Sequence, residues 1–443
     1  MSKKKKKVNT PKPPKPSRVE NGIYGLLLFA LSAIPVCITE MLDIGEDKWF
    51  LIRTVGPLLA VSLAIHCLTK HLKLPRLDPL AVCSIGWIGV MLLSMIDAHN
   101  LGVSLVVLTR QIGLLGFFFV VRYFVLQRSD TLTMNILYVL VFMVFLTAVY
   151  GVFQHFGYDY IDWEINDEVP IDRGVSFMGH ATFAASLLIM FLPIAFCLAL
   201  SIPSKMIRIG LFAACLTMLY HLSFSGARVA TVALFLSAGI GICVWIFTKL
   251  RDSEAENIRS IRRTALVALV ICAVMGSGFA YHAWQLKGSD LFGLTEGGMA
   301  QRIYAWDTAN RMFQANPFNG VGVGHYEIIS PEYWNVVESS RFVQFQRMLY
   351  QPHNDYLEAA AEMGILGVMC LLALVTFALT QSFALITKYK LLAIGMFTGI
   401  LASCIDSFFI FSWQTAEPGL YFWTLLGIVS GLYARAQEEV VDG

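Results

Sequence analysis

Runs of about 20 apolar residues recur along the whole chain, and they constrain its fold more than any other feature. A helix of that length can cross a bilayer because it satisfies its backbone polar groups internally. Of the 443 residues, 56% are hydrophobic and only 14% are charged, and the charges fall between the runs. We therefore predict an all-α polytopic membrane protein with about twelve transmembrane helices. The runs are 22–40, 50–68, 80–97, 101–121, 131–153, 176–200, 207–223, 229–248, 264–283, 363–387, 391–411 and 418–434.

Basic residues alternate between the connections of these runs. The first 18 residues hold eight basic residues, no acidic one and four prolines, which predicts a solvated arm that touches anionic membrane lipid rather than nucleic acid. Lysine and arginine accumulate on the cytoplasmic side of membrane proteins. Further basic residues follow the second, fourth, sixth, eighth and tenth runs, among them Lys70, Arg122, Lys205, Lys249 and Lys388. Both termini are therefore predicted inside and residues 301–367 outside, on the periplasmic side of a bacterial inner membrane.

This topology divides the chain into five segments. They are a basic cytoplasmic tail (1–20), transmembrane helices one to nine (21–283), a large periplasmic loop carrying part of the active site (284–362), transmembrane helices ten to twelve (363–434) and a cytoplasmic tail (435–443).

The predicted loop holds a polar pattern that lipid could not accommodate. Apolar side chains at helical spacing predict a short amphipathic helix over residues 299–315. Asn-Pro at 316–317 ends this helix, and Gly320, Gly322 and Gly324 follow where backbone can approach a ligand closely. A dinucleotide site is not favoured, because no strand and crossover surround these glycines.

His353 is predicted to lie at the amino end of the next helix. Pro352 stops any preceding helix, and either Asn354 or Asp355 can cap the following one, with Glu358 placed for a capping box. Free backbone N–H groups at such an end favour anions. A histidine that only forms a hydrogen bond at the start of the helix remains the alternative.

Three arginines stand out because arginine near hydrocarbon is costly. Arg228 lies at the outer junction of two runs, Arg302 lies in the amphipathic helix, and Arg110 lies in the outer half of the fourth run. Such residues tend to have a partner or a ligand. Snorkelling of Arg228 and a surface salt bridge of Arg302 remain open, and Arg110 is a lesser candidate.

Several of these segments together resemble the O-antigen ligase and polymerase superfamily of bacterial membrane glycosyltransferases. The similar segments are RIYAWDTANRMFQANPFNGVGVGHY, PHNDYLEAAAEMGILG, SGAR and FMGHATFAA. The resemblance implies a GT-C-like fold of about twelve helices with a large periplasmic loop. It also implies an undecaprenyl diphosphate-linked glycan donor, essential arginines at Arg228 and Arg302, and an essential histidine at His353. Many relatives have Gly-Asn-Pro where this chain has GHAT at 179–182, which leaves a role for His180 open.

The chemistry of such a donor agrees with these residue types. Guanidinium groups stay charged and pair bidentately with phosphate oxygens, so they can neutralise a leaving diphosphate. An imidazole titrates near neutrality, so His353 can accept the proton of the attacking hydroxyl, with inversion at the anomeric carbon. Asp355, Glu358 and Glu362 compete for this role. The predicted catalytic residues are His353, Arg302 and Arg228, and the predicted substrate-binding residues are Arg228, Arg302, Arg110, Gly322, Gly324 and Asn354.

No metal or other cofactor is predicted, since no His-Glu-x-x-His or paired carboxylate motif has ligand spacing. The leading function is ligation of preassembled O-antigen to a lipid A-core acceptor. The alternatives are O-antigen or exopolysaccharide polymerisation, transfer of glycan to a protein hydroxyl, and transport of a lipid-linked sugar. Clustering of the candidates on one face favours an enzyme over a transporter.

Overall fold

The computed structural model describes residues 17–38, 44–72, 76–96, 98–127, 130–160, 171–251, 266, 298–335 and 351–441. These residues form an all-helical bundle. Its helices are α1 (Arg18–Ala33), α2 (Ile44–Thr69), α3 (Pro79–Ser94), α4 (Leu101–Gln127), α5 (Asp130–His155), α6 (Ala181–Ser201), α7 (Lys205–Phe224), α8 (Arg228–Arg251), α9 (Gly298–Ala315), α10 (Tyr326–Ile329), α11 (Asp355–Ala384), α12 (Ile386–Tyr389), α13 (Leu391–Asp406) and α14 (Ala416–Val441).

Eight of the described helices are long and apolar enough to cross a membrane. They are α1, α2, α4 to α8 and α11. Helices α3 and α13 are apolar but shorter, and α14 coincides with the last predicted run. The predicted run at 264–283 lies outside the described residues apart from position 266, so the count of twelve stays a prediction. The protein is a multi-pass membrane protein on the strength of these helices.

Helices α1 and α11 begin earlier than the first and tenth predicted apolar runs, because caps decide where these helices start. Helix α1 begins at Arg18, where Ser17 and Glu20 form a capping box. Helix α11 begins at Asp355, where the Asn354 side chain accepts hydrogen bonds from two backbone N–H groups of the first turn. Glu358 therefore does not complete a capping box, since Asn354 rather than Asp355 is the N-cap.

The polar segment after α9 is fixed to the bundle by a break in α11. Gly364 has φ +63° and interrupts the helix, and the backbone carbonyl oxygens of Ala361 and Glu362 accept hydrogen bonds from Val321 and Gly322, each at 3.0 Å. On the other side, Ser104 of α4 donates to the carbonyl oxygen of Val323 at 2.8 Å. The glycine-rich turn is thus held between α4 and α11.

Two buried polar networks join the helices away from this turn. Lys48 of α2 is fully buried and pairs with Glu417 of α14, and its Nζ also donates to the carbonyl oxygen of Phe177 at 2.5 Å. At the opposite end of the bundle, Arg122 donates to Asp78 at 3.0 Å. Because an unpaired charge inside a bundle is costly, both pairs fix how the helices meet.

Candidate active site

Five basic side chains from separate parts of the chain meet at one end of the bundle. They come from the connection before α6, the start of α8, the beginning of α9 and the residue two before α11. We call this group the Arg-His cluster, and its members are Arg173, His180, Arg228, Arg302 and His353. The members are linked in a chain by the effect of one charge on the next pKa: Arg228 acts on Arg173, Arg173 and Arg302 act on His180, and Arg302 and His180 act on His353. The structure therefore brings together the three predicted catalytic residues and adds Arg173 and His180.

Arg173 is positioned by the Ser-Gly-Ala-Arg stretch that precedes α8. Its Nε donates to the carbonyl oxygen of Ser225 at 2.9 Å. Gly226 has φ +69°, and a Cβ at that position would lie 2.6 Å from Nη2 of Arg173. Burial lowers the pKa of Arg173, Asp172 opposes this, and the charge of Arg228 lowers it further. Arginine nevertheless stays charged in proteins, so Arg173 and Arg228 bring two like charges near each other.

Arg302 brings a third guanidinium from α9. Burial lowers its pKa, and the carboxylate of Asp406 at the end of α13 opposes this change. Asp406 is only 3% exposed and accepts a hydrogen bond from Ser186 of α6 at 2.5 Å. This carboxylate is therefore held in place by α6 and offsets part of the local positive charge.

His353 has a left-handed backbone conformation that residues other than glycine rarely adopt. Its φ is +52°, between Pro352 and the cap Asn354, and such positions store about 1–3 kcal/mol of strain that the surrounding structure must hold. Its Nδ1 is buried without a hydrogen-bond partner in the part of the chain that the structure describes. The ring lies edge-on to Phe411, with centroids 5.0 Å apart. A strained, polar residue at a cationic site is a typical functional arrangement.

The sequence predicts that His353 titrates near neutrality, but its surroundings in the structure change its pKa. Burial, followed by the charges of Arg302 and His180, lowers the pKa of His353 from an ordinary 6.5 to about 3. The imidazole is therefore neutral at physiological pH, so a ring nitrogen is available to accept a proton.

His180, whose role the sequence left open, lies in the same group. It caps α6 through Nδ1, which accepts a hydrogen bond from the backbone N–H of Thr182 at 3.3 Å, and its ring contacts Phe183 at 4.8 Å between centroids. The residue is exposed to solvent, but neighbouring protein desolvates its ring, and this desolvation followed by the charges of Arg173 and Arg302 lowers its pKa to about 4. His180 is thus also neutral at physiological pH.

The remaining predicted substrate-binding residues lie apart from this cluster or have structural partners. Arg110 pairs with Glu46, and its guanidinium lies 5.2 Å from the ring centroid of Trp49. A Cβ on Gly322 would lie 2.8 Å from the Ala98 side chain, and one on Gly324 would lie 2.9 Å from Val107. Close approach to α4 and to the end of α3 thus accounts for these glycines.

Asn354 and the competing carboxylates follow His353 on the first turns of α11. Asn354 Oδ1 is occupied by its two capping bonds, each 3.0 Å long. Glu362 accepts from the backbone N–H groups of Gly324 and Tyr326, each at 2.8 Å. Glu358 is buried, and its Oε2 has no partner among the described residues. Glu362 therefore holds the glycine-rich turn, whereas Glu358 faces a separate cavity.

A family model described as O-antigen ligase matches residues 213–372. The similarity to the O-antigen ligase superfamily is confirmed over this segment. Members of this family are glycosyltransferase-like membrane enzymes. The O-antigen ligase segment runs from α7 into α11 and contains Arg228, Arg302 and His353. A search of curated proteins found no match.

Three functional candidates lie outside the O-antigen ligase segment, and their signals in the sequence are weak. Arg173 precedes the quoted FMGHATFAA stretch by four residues, in a connection where a basic residue is unusual for the outer side. Asp406 is a carboxylate within an apolar run, which is a functional signal in membrane proteins. His180 was noted only as a departure from the family pattern. The proximity of His180 and Asp406 to Arg302 depends on packing between helices far apart in sequence.

Proposed function

We propose that the protein transfers a glycan from a lipid-linked diphosphate donor to an acceptor hydroxyl. More specifically, we propose an O-antigen ligase that uses undecaprenyl diphosphate-linked O-antigen and a lipid A-core acceptor, by inverting, metal-independent chemistry. The observation that carries this proposal is the Arg-His cluster, in which three guanidinium groups and two neutral imidazoles are linked through their charges. The match to the O-antigen ligase family supports the same chemistry.

The three guanidinium groups fit a diphosphate leaving group. The like charges of Arg173 and Arg228 repel each other, so an anion bound between these two groups and Arg302 would relieve that repulsion. Arginine forms bidentate, charge-assisted hydrogen bonds with phosphate oxygens. When the glycosidic C–O bond breaks, negative charge grows on the diphosphate, and fixed cations stabilise that charge in a water-poor site.

His353 is assigned the proton of the attacking hydroxyl. The hydroxyl oxygen forms the new bond to the anomeric carbon, the bonding electrons leave with the diphosphate, and the hydroxyl proton passes to a neutral imidazole nitrogen. Binding of an anionic diphosphate would offset the charge of Arg302, which lowers the pKa of His353 in the ligand-free protein. His353 would therefore become a stronger base once the donor is bound.

The proposed orientation places the Arg-His cluster at the periplasmic face, with residues 284–362 as the loop that completes it and both termini in the cytoplasm. The charge distribution supports this arrangement. Basic residues such as Lys70, Lys205 and Lys388 lie at the opposite helix ends, as expected for a cytoplasmic surface. A transporter would need polar groups through the midplane, whereas the proposed site gathers at one end.

A gene deletion followed by lipopolysaccharide electrophoresis tests the proposed ligase. Loss of all O-antigen bands with accumulation of lipid-linked polymer is the expected result. A core that carries a single repeat unit would identify a polymerase instead. Unchanged lipopolysaccharide would contradict both and point to exopolysaccharide or protein as acceptor. Complementation with His353→Ala, shown to reach the membrane, should fail to restore the bands.

A further inference from the structure

A second polar cavity lies beside the first turns of α11, on a different set of residues from the Arg-His cluster. It encloses about 300 Å³, and its lining includes Trp49, Arg110, Gln111, Glu327 and Glu358. That volume is at the lower end of the range for small-ligand pockets and suits one or two sugar rings. We call it the Glu358 cavity.

Unpartnered polar atoms line this cavity from two helices. Glu358 of α11 is 3% exposed and Gln111 of α4 is 8% exposed. Oε2 of Glu358, Oε1 of Gln111 and Nε of Arg110 are buried and have no hydrogen-bond partner among the described residues. Buried polar atoms are normally satisfied, so such a set indicates a ligand that supplies both donors and acceptors. Hydroxyl groups do both.

The charges of the cavity exclude a second diphosphate site. Glu327, Glu358 and Glu362 line it, while its arginine, Arg110, is already paired with Glu46. An anion would meet an excess of carboxylates here, in contrast to the Arg-His cluster. A neutral, hydroxyl-rich ligand avoids this repulsion and can lie against the indole of Trp49.

We propose that the Glu358 cavity binds the neutral sugar of a glycan substrate, with Glu358 and Gln111 accepting hydrogen bonds from its hydroxyl groups. The inference rests on the proposed function and adds that separate sites bind the diphosphate and the sugar. The charged diphosphate binds the Arg-His cluster. The sugar hydroxyl groups bind at Glu358, which lies five residues after His353. Gln414 lines the cavity and donates to Asp355, two residues after His353, at 3.3 Å.

Binding to the purified full-length protein tests the proposal without requiring turnover. Saturation-transfer NMR would measure the methyl glycosides of glucose, galactose and N-acetylglucosamine, and calorimetry would measure inorganic pyrophosphate. We expect Glu358→Gln and Gln111→Leu each to weaken glycoside binding about tenfold and to leave pyrophosphate binding unchanged. Arg302→Gln should do the reverse. Glu439→Gln, which changes an exposed carboxylate at the other end of the bundle, is the matched control.

Several results would overturn the sugar site. The first is that the wild-type protein binds no glycoside. The second is that both cavity variants bind glycosides as tightly as the wild type does. The third is that Glu358→Gln abolishes Mn²⁺ binding while glycoside binding persists. If the wild-type protein does not bind pyrophosphate, that result would instead contradict the proposed diphosphate site, so the two failures are distinguishable. In the transfer reaction of the cavity variants, a KM raised only for the acceptor assigns the cavity to the acceptor sugar. A KM raised only for the donor assigns it to the donor sugar. A lower kcat with neither KM changed would contradict a binding role.

Discussion

The guanidinium of Arg173 covers Gly226, so that Nη2 lies 2.6 Å from the place where a Cβ on that glycine would be. The contact joins the connection before α6 to the start of α8, two parts of the chain separated by two transmembrane helices. Since Gly226 is two residues before Arg228, this packing also fixes the spacing between two arginines of the Arg-His cluster.

We expect Gly226→Ala to displace Arg173 and to reduce transfer about 100-fold, similar to the loss of one stabilising group in an anion site. Activity of purified protein with a lipid-linked donor measures this effect. The control is Gly239→Ala in α8, where a Cβ would meet nothing within 4 Å.

A double-mutant cycle separates displacement of Arg173 from backbone strain at Gly226. If Gly226 acts through Arg173, then Gly226→Ala combined with Arg173→Gln should be no less active than Arg173→Gln alone. Fully additive losses would show that the glycine matters for another reason.

The arginines should be more sensitive to replacement by glutamine than by lysine, but lysine should not restore full activity. Lysine keeps the charge and loses the planar, bidentate donor pair. For Arg228 and Arg302 we expect about 10-fold losses for lysine and about 1,000-fold losses for glutamine, measured as kcat/KM for donor. Equal activity of the lysine variants and the wild type would remove the case for bidentate binding.

The His353 imidazole should stay neutral between about pH 5 and 8 in the ligand-free protein, because its pKa is lowered to about 3. Its neutral form is the base, so the acid limb of kcat/KM should lie well below the ordinary histidine value of 6.5. NMR of histidine-labelled protein, assigned with His353→Asn, measures the midpoint directly. Asparagine tolerates the left-handed backbone of this residue. Pyrophosphate should raise the midpoint, whereas a ligand-free midpoint near 6.5 would contradict the proposed surroundings.

The buried ion pair of Lys48 and Glu417 should make a large difference to stability when one partner is removed. Lys48→Met leaves Glu417 buried without its partner and should cost about 3–5 kcal/mol, whereas Lys48→Met with Glu417→Leu should recover most of it. Thermal unfolding in detergent measures both. Lys388→Met breaks an exposed pair with Glu439 and should change stability by less than about 1 kcal/mol.

The helices could be predicted from sequence because bilayer length and hydrophobicity act locally. Eleven of the twelve predicted runs overlap a described helix, the run at 264–283 stays a prediction, and the helix predicted at 299–315 is confirmed as Gly298–Ala315. The cap at Asn354 is confirmed as one of the two predicted caps, whereas α1 begins at Arg18, before its predicted apolar run. The break at Gly364 was not predicted, since it depends on the glycine-rich turn that packs against it.

The candidate site was only partly predictable because it is assembled from residues far apart in the chain. Arg228, Arg302 and His353 were found from cost, position and resemblance. Arg173 needed the contact with Gly226, which no local pattern reveals. The neutral state of His353 likewise results from the charge of Arg302 and from burial, and neither is visible in the sequence around residue 353.

Reconstituted transfer tests the central claim most directly. Purified protein in liposomes would receive undecaprenyl diphosphate-linked O-antigen and lipid A-core, with EDTA present, and products would be separated by electrophoresis. We expect the wild type to form glycan-bearing lipid A-core, and Arg302→Gln and His353→Ala, confirmed to be folded, to form almost none. No product from the wild type, or full activity of both variants, would contradict the account.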